Sequence, residues 1–186
     1  MKQRPILSLG TSNLTWPDFQ QRLERYGIDV LIDVRARAYS RHAHFCQPVL
    51  RAKLNHVGIS YIHLPDLGGL SSDDTRSFAE VASTPCVKTA LELVMHIATR
   101  AQPVLTCAEG DVLTCHRCLM LAPALTAMGA KMHHILADGS LEDHGTTEAR
   151  MMRTLRVPEQ DLWKSKDQLL AAAYAAQERR IRKIKP

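Results

Sequence analysis

Short apolar runs alternate with amphipathic stretches along most of this chain. Five runs are apolar almost throughout: Pro5–Leu9, Val30–Val34, Ser60–Leu64, Pro103–Cys107 and Met132–Leu136. Between them, apolar residues recur at helical spacing in four segments: Trp16–Tyr26, Pro48–Val57, Cys86–Arg100 and Cys115–Met128. Continuous apolar runs are typical of strands buried on both faces. The pattern therefore predicts an α/β, Rossmann-like fold with an open, mainly parallel sheet of about five strands and helices on both faces.

The carboxyl-terminal segment has a different pattern. Val157-Pro158-Glu159 interrupts the alternation, and Asp161–Ile184 then carries apolar residues at helical spacing without a following strand. We therefore expect an α/β domain over residues 1–156 and a basic helical extension over 157–186. This appended helix is expected to pack on the domain or on a second copy of the chain.

The net charge of +5 lies entirely in the carboxyl-terminal part. Residues 1–144 contain 14 Lys and Arg against 14 Asp and Glu, whereas residues 145–186 contain 10 against 5. The densest basic run is Arg179–Lys185. Such a run can contact phosphates, but cations are also favourable at the end of any helix. A nucleic-acid-binding module without catalysis is therefore one alternative function, with the basic helix as the contact.

Composition and cysteine usage limit the class of protein. Charges or histidines break the apolar stretches before the roughly 20 residues that a membrane span needs, so we expect no membrane partner. Five cysteines, an odd number, follow an amino terminus without a secretory signal. Reduced thiols and a cytoplasmic location are the simplest expectation.

Polar side chains follow every predicted strand, and the group after the fourth strand is the strongest local signal. Cys107 and Glu109 come directly after that strand, and Cys115, His116 and Arg117 would begin the next helix. Ligand sites of open α/β sheets lie at the carboxyl ends of the strands, and a helix start lowers the pKa of a thiol. A plainer interpretation is that Cys107 is a core residue and that Arg117 pairs with a nearby carboxylate.

We predict an enzyme that acts on a small anionic or nucleotide-like substrate at this edge. The catalytic candidates are Cys107, Glu109, His116 and His144. His144 is expected in the loop after the fifth strand, where it competes with His116 for the role of proton carrier. The candidates for binding substrate or anion are Ser12, Arg35, Ser40, Arg41, Gly68, Gly69, Cys115, Arg117 and Asp138.

The cysteines allow two further hypotheses. Cys115 and Cys118 have the spacing of a thiol redox pair. Alternatively, Cys107, Cys115 and Cys118 with a histidine would provide four zinc ligands. A nucleobase-deaminase type of zinc site does not fit, because only five residues separate Glu109 from Cys115. The main hypothesis requires no cofactor.

Several short motifs in this chain together resemble the family known as domain of unknown function 488. The residues that carry the resemblance are Leu31–Arg35, Ser40-Arg41, Phe45, Gly58–Tyr61, His63–Pro65, Leu67–Gly69, Cys107–Glu109, Cys115–Arg117, His134-Ile135, Asp138-Gly139 and His144. The resemblance runs from about Leu7 to His144. It implies a compact α/β fold with a polar pocket, and it implies no established reaction.

Three positions depart from what the resemblance implies. Thr11 follows Gly10 where a histidine is common in the family, and Ala38 stands where proline is common. Cys118 occupies a position that is usually serine-like. The resemblance therefore does not extend to a Cys115–Cys118 pair, nor to a mechanism that needs a histidine in the first loop.

Overall fold

A six-stranded sheet forms the centre of the protein. The computed structural model describes residues 3–12, 14–70, 74–158 and 160–182. The strands are β1 (Ile6–Gly10), β2 (Val30–Asp33), β3 (Ser60–His63), β4 (Pro103–Cys107), β5 (Met132–Ile135) and β6 (Leu141–Asp143). Their order across the sheet is β3-β2-β4-β1-β5-β6. The first five are parallel and β6 is antiparallel to β5, which confirms the predicted α/β fold with a mainly parallel sheet.

Helices cover both faces of this sheet. Their bounds are α1 (Trp16–Arg25), α2 (Gln47–His56), α3 (Phe78–Ala82), α4 (Pro85–Ala98), α5 (Ala122–Ala127), α6 (His144–Thr154) and α7 (Lys166–Arg182). The apolar sides of α1 and α2 pack on one face, where Phe19 and Leu54 join a buried cluster. The other face carries a second cluster, to which Leu91 of α4 and Met151 of α6 contribute. The burial of both faces explains why the strands read as continuous apolar runs.

Three elements were not predicted: α3, β6 and α6. The strand β6 has only three residues, of which two are exposed, so its sequence carries no burial pattern. Both helices have start signals that the sequence displays. Ser77 and Glu80 form a capping box before α3, and Asp143 caps α6 by accepting a hydrogen bond from the amide of Thr146.

The segment predicted as one helix over Cys115–Met128 is more complex than expected. A 3₁₀ turn over Val112–Thr114 precedes it, and a π-helix over Arg117–Leu121 leads into α5. Such π-helical turns are uncommon and occur frequently at functional sites. The apolar spacing of this stretch indicates a helix but does not distinguish the α from the π form.

The appended helix α7 packs on the domain itself. Leu169 and Ala173 are buried in its inner side, and the side-chain amide of Gln177 donates to the carbonyl of Leu113 at 2.7 Å. The predicted bounds, Asp161–Ile184, extend past the helix at its start, and Ile184 lies outside the described residues. Within the ranges that the structure describes, no helix is long and apolar enough to cross a membrane.

Candidate thiol site

Two cysteines from separate elements meet at the carboxyl end of β4. Cys107 ends that strand, and the 3₁₀ turn brings the chain back so that the Cys115 Sγ atom lies 2.8 Å from that of Cys107. Asp111 holds the turn by accepting a hydrogen bond from the amide of Leu113 at 3.0 Å. Both cysteines are buried, at 0% and 1% exposure, and both are free thiols. The chain therefore contains an enclosed thiol pair.

Arg117 lies against both sulfur atoms. Its Nε atom donates to the sulfur of Cys107 at 2.9 Å and to that of Cys115 at 3.2 Å. Its Nη2 atom donates to the carbonyl of Glu109 at 2.6 Å. This guanidinium is 1% exposed, and a buried cation is tolerated only beside negative charge. The arrangement therefore favours a thiolate in the pair.

The two thiols have opposite pKa shifts. Burial raises the pKa of Cys115, but the hydrogen bond from Cys107 and the charges of Arg117 and His116 outweigh burial, so the pKa lies well below its usual value. Burial and the hydrogen bond to Cys115 raise the pKa of Cys107 well above its usual value. When two close groups share a proton in this way, one ionises and the other does not. The directions of the two shifts assign the negative charge to Cys115 and the remaining proton to Cys107.

Glu109 and His116 flank the thiol pair. Glu109 is an exposed residue, and its Oε2 atom lies 2.9 Å from the sulfur of Cys107 and 3.4 Å from the sulfur of Cys115. The Nδ1 atom of His116 lies 3.6 Å from the sulfur of Cys115. Burial lowers the pKa of His116, but the charge of Cys115, the hydrogen bond to Cys115 and the charge of Glu109 together outweigh burial, and the net shift is upward. The pair therefore has a carboxylate on its solvent side and an imidazole beside it.

These residues form the one group in the described part of the chain that could hold a metal ion. One ligand atom from each of Cys107, Glu109, Cys115 and His116 lies within 4.8 Å of the others. A tetrahedral zinc ion would hold two thiolate sulfurs about 3.7 Å apart, since each zinc–sulfur bond is about 2.3 Å. The observed 2.8 Å is shorter, and the Arg117 cation already contacts both sulfurs. The buried Arg117 cation at this position disfavours a second cation such as zinc between the same two sulfurs.

Cys118 does not belong to this group. The predicted zinc set and the predicted redox pair both contained Cys118, whereas the structure places Cys107 next to Cys115. Cys118 is buried among apolar residues, and burial raises its pKa to about 12. A neutral, enclosed thiol of this kind is a packing residue.

Gly10 makes room for the site, although the sequence did not identify it as a site residue. A Cβ atom at this position would lie 1.8 Å from the carbonyl oxygen of Glu109 and 2.8 Å from the Nη2 atom of Arg117. Only glycine allows that approach. Gly69 also lies against the site, since a Cβ atom at this position would lie 3.2 Å from the Nδ1 atom of His116. Gly68, by contrast, packs against Ala36.

A chain of buried hydrogen bonds runs from Arg117 across the sheet to α7. The Arg117 Nη1 atom lies 3.4 Å from Ser8 Oγ, which in turn lies 2.7 Å from His134 Nδ1. The other ring nitrogen of His134, Nε2, lies 3.0 Å from His144 Nδ1. The His144 Nε2 atom lies 2.9 Å from the Tyr174 hydroxyl, and that hydroxyl lies 2.7 Å from Glu148 Oε1. The side chains come from β1, β5, α6 and α7. The network therefore joins the thiol site to the appended helix.

The groups at the two ends of this hydrogen-bond network, Arg117 and Glu148, determine the direction in which its hydrogen bonds are donated. A guanidinium can only donate, so Arg117 donates to Ser8, and the carboxylate of Glu148 can only accept, so Tyr174 donates its proton to it. Each group between them then accepts from one neighbour and donates to the next. With both histidines neutral, each ring then carries its proton on Nε2.

The protonation states of the histidines agree with this direction. Burial lowers the pKa of His134 well below its usual value, and the neighbouring His144 ring and the Arg117 cation add to the shift. Burial also lowers the pKa of His144. His144 was expected in a loop, but it is the first residue of α6 and is 5% exposed. The antiparallel strand β6 ends directly before it, which places it against His134 rather than at the rim.

Arg35, Ser40 and Arg41 have hydrogen-bond partners outside the thiol pair. Arg35 is bonded to the carboxylate of Asp33 at 2.5 Å and to the carbonyl of Phe45 at 2.9 Å. Ser40 accepts a hydrogen bond from the amide of His42, and the exposed Arg41 lies beside the same histidine. The structure thus gives Arg35, Arg41 and Arg117 separate sets of partners.

Asp138 and Ser12 belong to the surface around a cavity of about 700 Å³. This cavity lies at the carboxyl ends of β1 and β5, where β1 continues towards α1 and β5 turns directly into its antiparallel neighbour β6. Its lining includes Gly10, Ser12, Arg22, Gly110, Asp111, Asp138, Glu142 and Arg150. Ligands of open α/β sheets bind outside the carboxyl ends of the strands. Gly110 and Asp111 follow Glu109 directly, so one loop borders both the cavity and the thiols.

The basic carboxyl-terminal run is only partly described. Arg179 and Arg180 are exposed, whereas Arg182 is bonded to Glu178 at 2.8 Å and to the carbonyls of Asp74 and Arg76. Lys183 and Lys185 lie outside the described residues. Nucleic-acid binding by this run stays a prediction.

One comparison with known proteins identifies the family. The model of the domain of unknown function DUF488 matches residues 15–122, more than half of the chain. The chain belongs to the DUF488 family. This confirms the resemblance drawn from the sequence, over a shorter segment than Leu7 to His144. The segment that matches DUF488 contains the complete thiol site except Gly10, and it ends before His134, His144 and Tyr174. Searches of curated proteins and of solved structures found no match.

Proposed function

We propose that this protein is an enzyme in which the Cys115 thiolate attacks a small-molecule substrate. The observation that carries the proposal is the position of Arg117, whose buried Nε atom lies within hydrogen-bond distance of both sulfurs. A guanidinium in this position stabilises the thiolate, which is the nucleophilic form of cysteine. Structural cysteines in a core do not need a buried cation.

The neighbouring residues have distinct roles in this proposal. Cys107 donates a hydrogen bond and keeps the negative charge on Cys115. His116, with its raised pKa and its Nδ1 atom 3.6 Å from the nucleophile, supplies a proton to the leaving group. Glu109 covers the sulfurs from the solvent side, so its side chain rotates away when substrate enters. The cavity between β1 and β5 binds the remainder of the substrate.

The expected anionic character of the substrate stays a prediction. Arg35 and Arg117, two of the three arginines assigned to the anion, are bonded to groups of the chain itself. The cavity lining contains Arg22 and Arg150 together with three acidic residues. This mixture suits a polar substrate with both donors and acceptors.

The proposal is tested by the rate of alkylation with iodoacetamide as a function of pH. We expect Cys115 to be the first cysteine modified under limiting reagent, as identified by peptide mass spectrometry. Its rate should reach half of its maximum well below about pH 8.5, the pKa of a free thiol. A Cys86→Ser variant, which removes an exposed cysteine, is the control and should give the same profile.

Two outcomes of this experiment contradict the proposal. One is modification of Cys115 no earlier than that of the exposed Cys86, and the other is a profile centred at the pKa of a free thiol. Treatment with a chelator distinguishes a metal-free thiol pair from a metal site formed by the same residues. The profile should be unchanged after chelation, whereas removal of a bound metal would increase the reactivity of Cys107 and Cys115 together.

A further inference from the structure

We infer that the substrate of Cys115 is a hydroperoxide and that Cys107 is the resolving thiol, so that the two cysteines form a reversible disulfide. This inference rests on the proposed function and names its substrate class. Its basis is the distance of 2.8 Å between the two sulfur atoms, which come from the end of β4 and from the turn that follows it.

The geometry requires little movement for the bond to form. A disulfide has a sulfur–sulfur length of about 2.05 Å, so the two atoms need to approach by less than about 1 Å. The two cysteines lie at the ends of a short loop, so the disulfide can form without a rearrangement of the sheet. Cys118, the partner expected from the C-x-x-C spacing, has no hydrogen bond between its sulfur and that of Cys115 among the described contacts. The redox pair is therefore Cys107 with Cys115.

Access to the site selects for a small oxidant. Cys107, Cys115 and Arg117 are at most 1% exposed, and the carboxylate of Glu109 is the group on the solvent side. A hydroperoxide is small, polar and electrophilic at oxygen, and it needs a proton for its leaving oxygen. His116 beside the nucleophile can provide that proton, and Arg117 can donate a hydrogen bond to the departing oxygen.

The reaction balances in two steps. In the first, the Cys115 thiolate attacks the distal oxygen of the hydroperoxide ROOH, the O–O bond breaks, and the proton from His116 goes to the leaving oxygen, giving a sulfenic acid and ROH. In the second, the sulfur of Cys107 displaces hydroxide from the sulfenic acid, and its own proton leaves with that hydroxide as water. Two thiols are oxidised and one hydroperoxide is reduced. A low-molecular-weight dithiol returns the pair to the reduced state and is itself oxidised to a disulfide.

The test treats the full-length reduced protein with hydrogen peroxide and follows its intact mass. We expect the loss of two hydrogen atoms without addition of oxygen, and a disulfide-linked peptide that joins Cys107 to Cys115. Dithiothreitol should restore the original mass. Oxidation that stays as added oxygen, or a disulfide that joins any other cysteines, overturns the inference without the need for a variant.

Variants then assign the two roles. Cys107→Ser should stop the reaction at the sulfenic acid, which dimedone traps on Cys115, whereas Cys115→Ser should abolish both products. Cys118→Ala should still form the disulfide, and a loss of the disulfide in this variant would assign the resolving role to Cys118. Cys86→Ser, at an exposed position, is the matched control and should behave as the wild type.

The failure of this inference can be distinguished from the failure of the proposed function. If iodoacetamide identifies Cys115 as a thiolate but hydrogen peroxide yields no disulfide, the thiolate enzyme stands and the hydroperoxide assignment is wrong. If Cys115 reacts with neither reagent ahead of the exposed cysteine, both are wrong.

Discussion

The hydroxyl group of Tyr174 lies 2.9 Å from the Nε2 atom of His144. Tyr174 belongs to α7 and His144 begins α6, so this contact joins the appended helix to the hydrogen-bond chain that ends at Arg117. The same hydroxyl donates to Glu148 at 2.7 Å. The carboxyl-terminal helix is therefore connected to the interior by polar contacts as well as by apolar packing.

Replacement of Tyr174 by phenylalanine should destabilise the protein. The variant removes the acceptor at 2.9 Å and leaves the buried His144 N–H group only the Glu148 carboxylate at 3.5 Å, and a poorly satisfied buried donor costs about 1–3 kcal/mol. Urea unfolding of the variant and the wild type measures the difference. Tyr39→Phe is the matched control, since Tyr39 is 76% exposed, and it should change the free energy of unfolding by less than about 0.5 kcal/mol. Equal effects of the two substitutions would show that the Tyr174 contact contributes nothing.

The tautomers of two histidines follow from the direction of the hydrogen-bond chain. Nitrogen chemical shifts of ¹⁵N-labelled protein at pH 7 should show His134 and His144 as neutral rings with the proton on Nε2. The reason is that Arg117 can only donate at one end and Glu148 can only accept at the other. A proton on Nδ1 of either ring at this pH would contradict the derived direction.

Acid should destabilise the folded state through the same two histidines. Their folded-state pKa values are lowered by burial, so the unfolded chain binds protons more readily as the pH falls below about 6.5. Stability is then full above that pH and falls as the pH is lowered, by up to about 1.4 kcal/mol per pH unit for each histidine. Denaturation curves between pH 7 and pH 5 measure the slope. A His144→Gln variant should be less stable at pH 7 and show a shallower slope, and an unchanged slope would rule out this cause.

Gly10 should not tolerate a side chain. In Gly10→Ala the new Cβ atom meets the carbonyl of Glu109, which is backbone, so β1 or the thiol loop must move. We expect a loss of about 2 kcal/mol or more in the free energy of unfolding, together with a changed reactivity of Cys115. Gly145→Ala is a suitable control, because its Cβ atom meets only the side chain of Asp143, at 3.3 Å. A neutral effect at Gly10 would mean that the loop is free to shift.

Patterns within short stretches of sequence were sufficient to predict the parallel strands of the sheet and the grouping of polar residues in the thiol loop. Four of the five parallel strands are almost fully buried, so their apolar runs are visible without a structure, whereas β3 at the edge is only partly buried. The thiol loop is also local, because Cys107 and Cys115 are joined by a single turn. Its chemical interpretation was less accurate, since the C-x-x-C spacing favoured Cys118 over Cys107 as the partner of Cys115.

Long-range contacts could not be predicted from the same patterns. Ser8 and His134 are on neighbouring strands but far apart in the sequence, and Tyr174 reaches His144 from the last helix. Arg35 was assigned to an anion because the sequence does not show that its guanidinium binds the carboxylate of Asp33, two residues earlier, through two nitrogen atoms. In each case the partner depends on which side chains the sheet brings to one face.

The thiolate of Cys115 is the claim on which the proposed chemistry depends most directly. Thiolates absorb near 240 nm and thiols do not, so the difference in absorbance between the wild type and a Cys115→Ser variant at pH 7 counts the thiolate at this position. We expect the absorbance of one thiolate, which disappears on acidification and is present well below the pH at which a free thiol ionises. No difference between the two proteins at pH 7 would contradict the account.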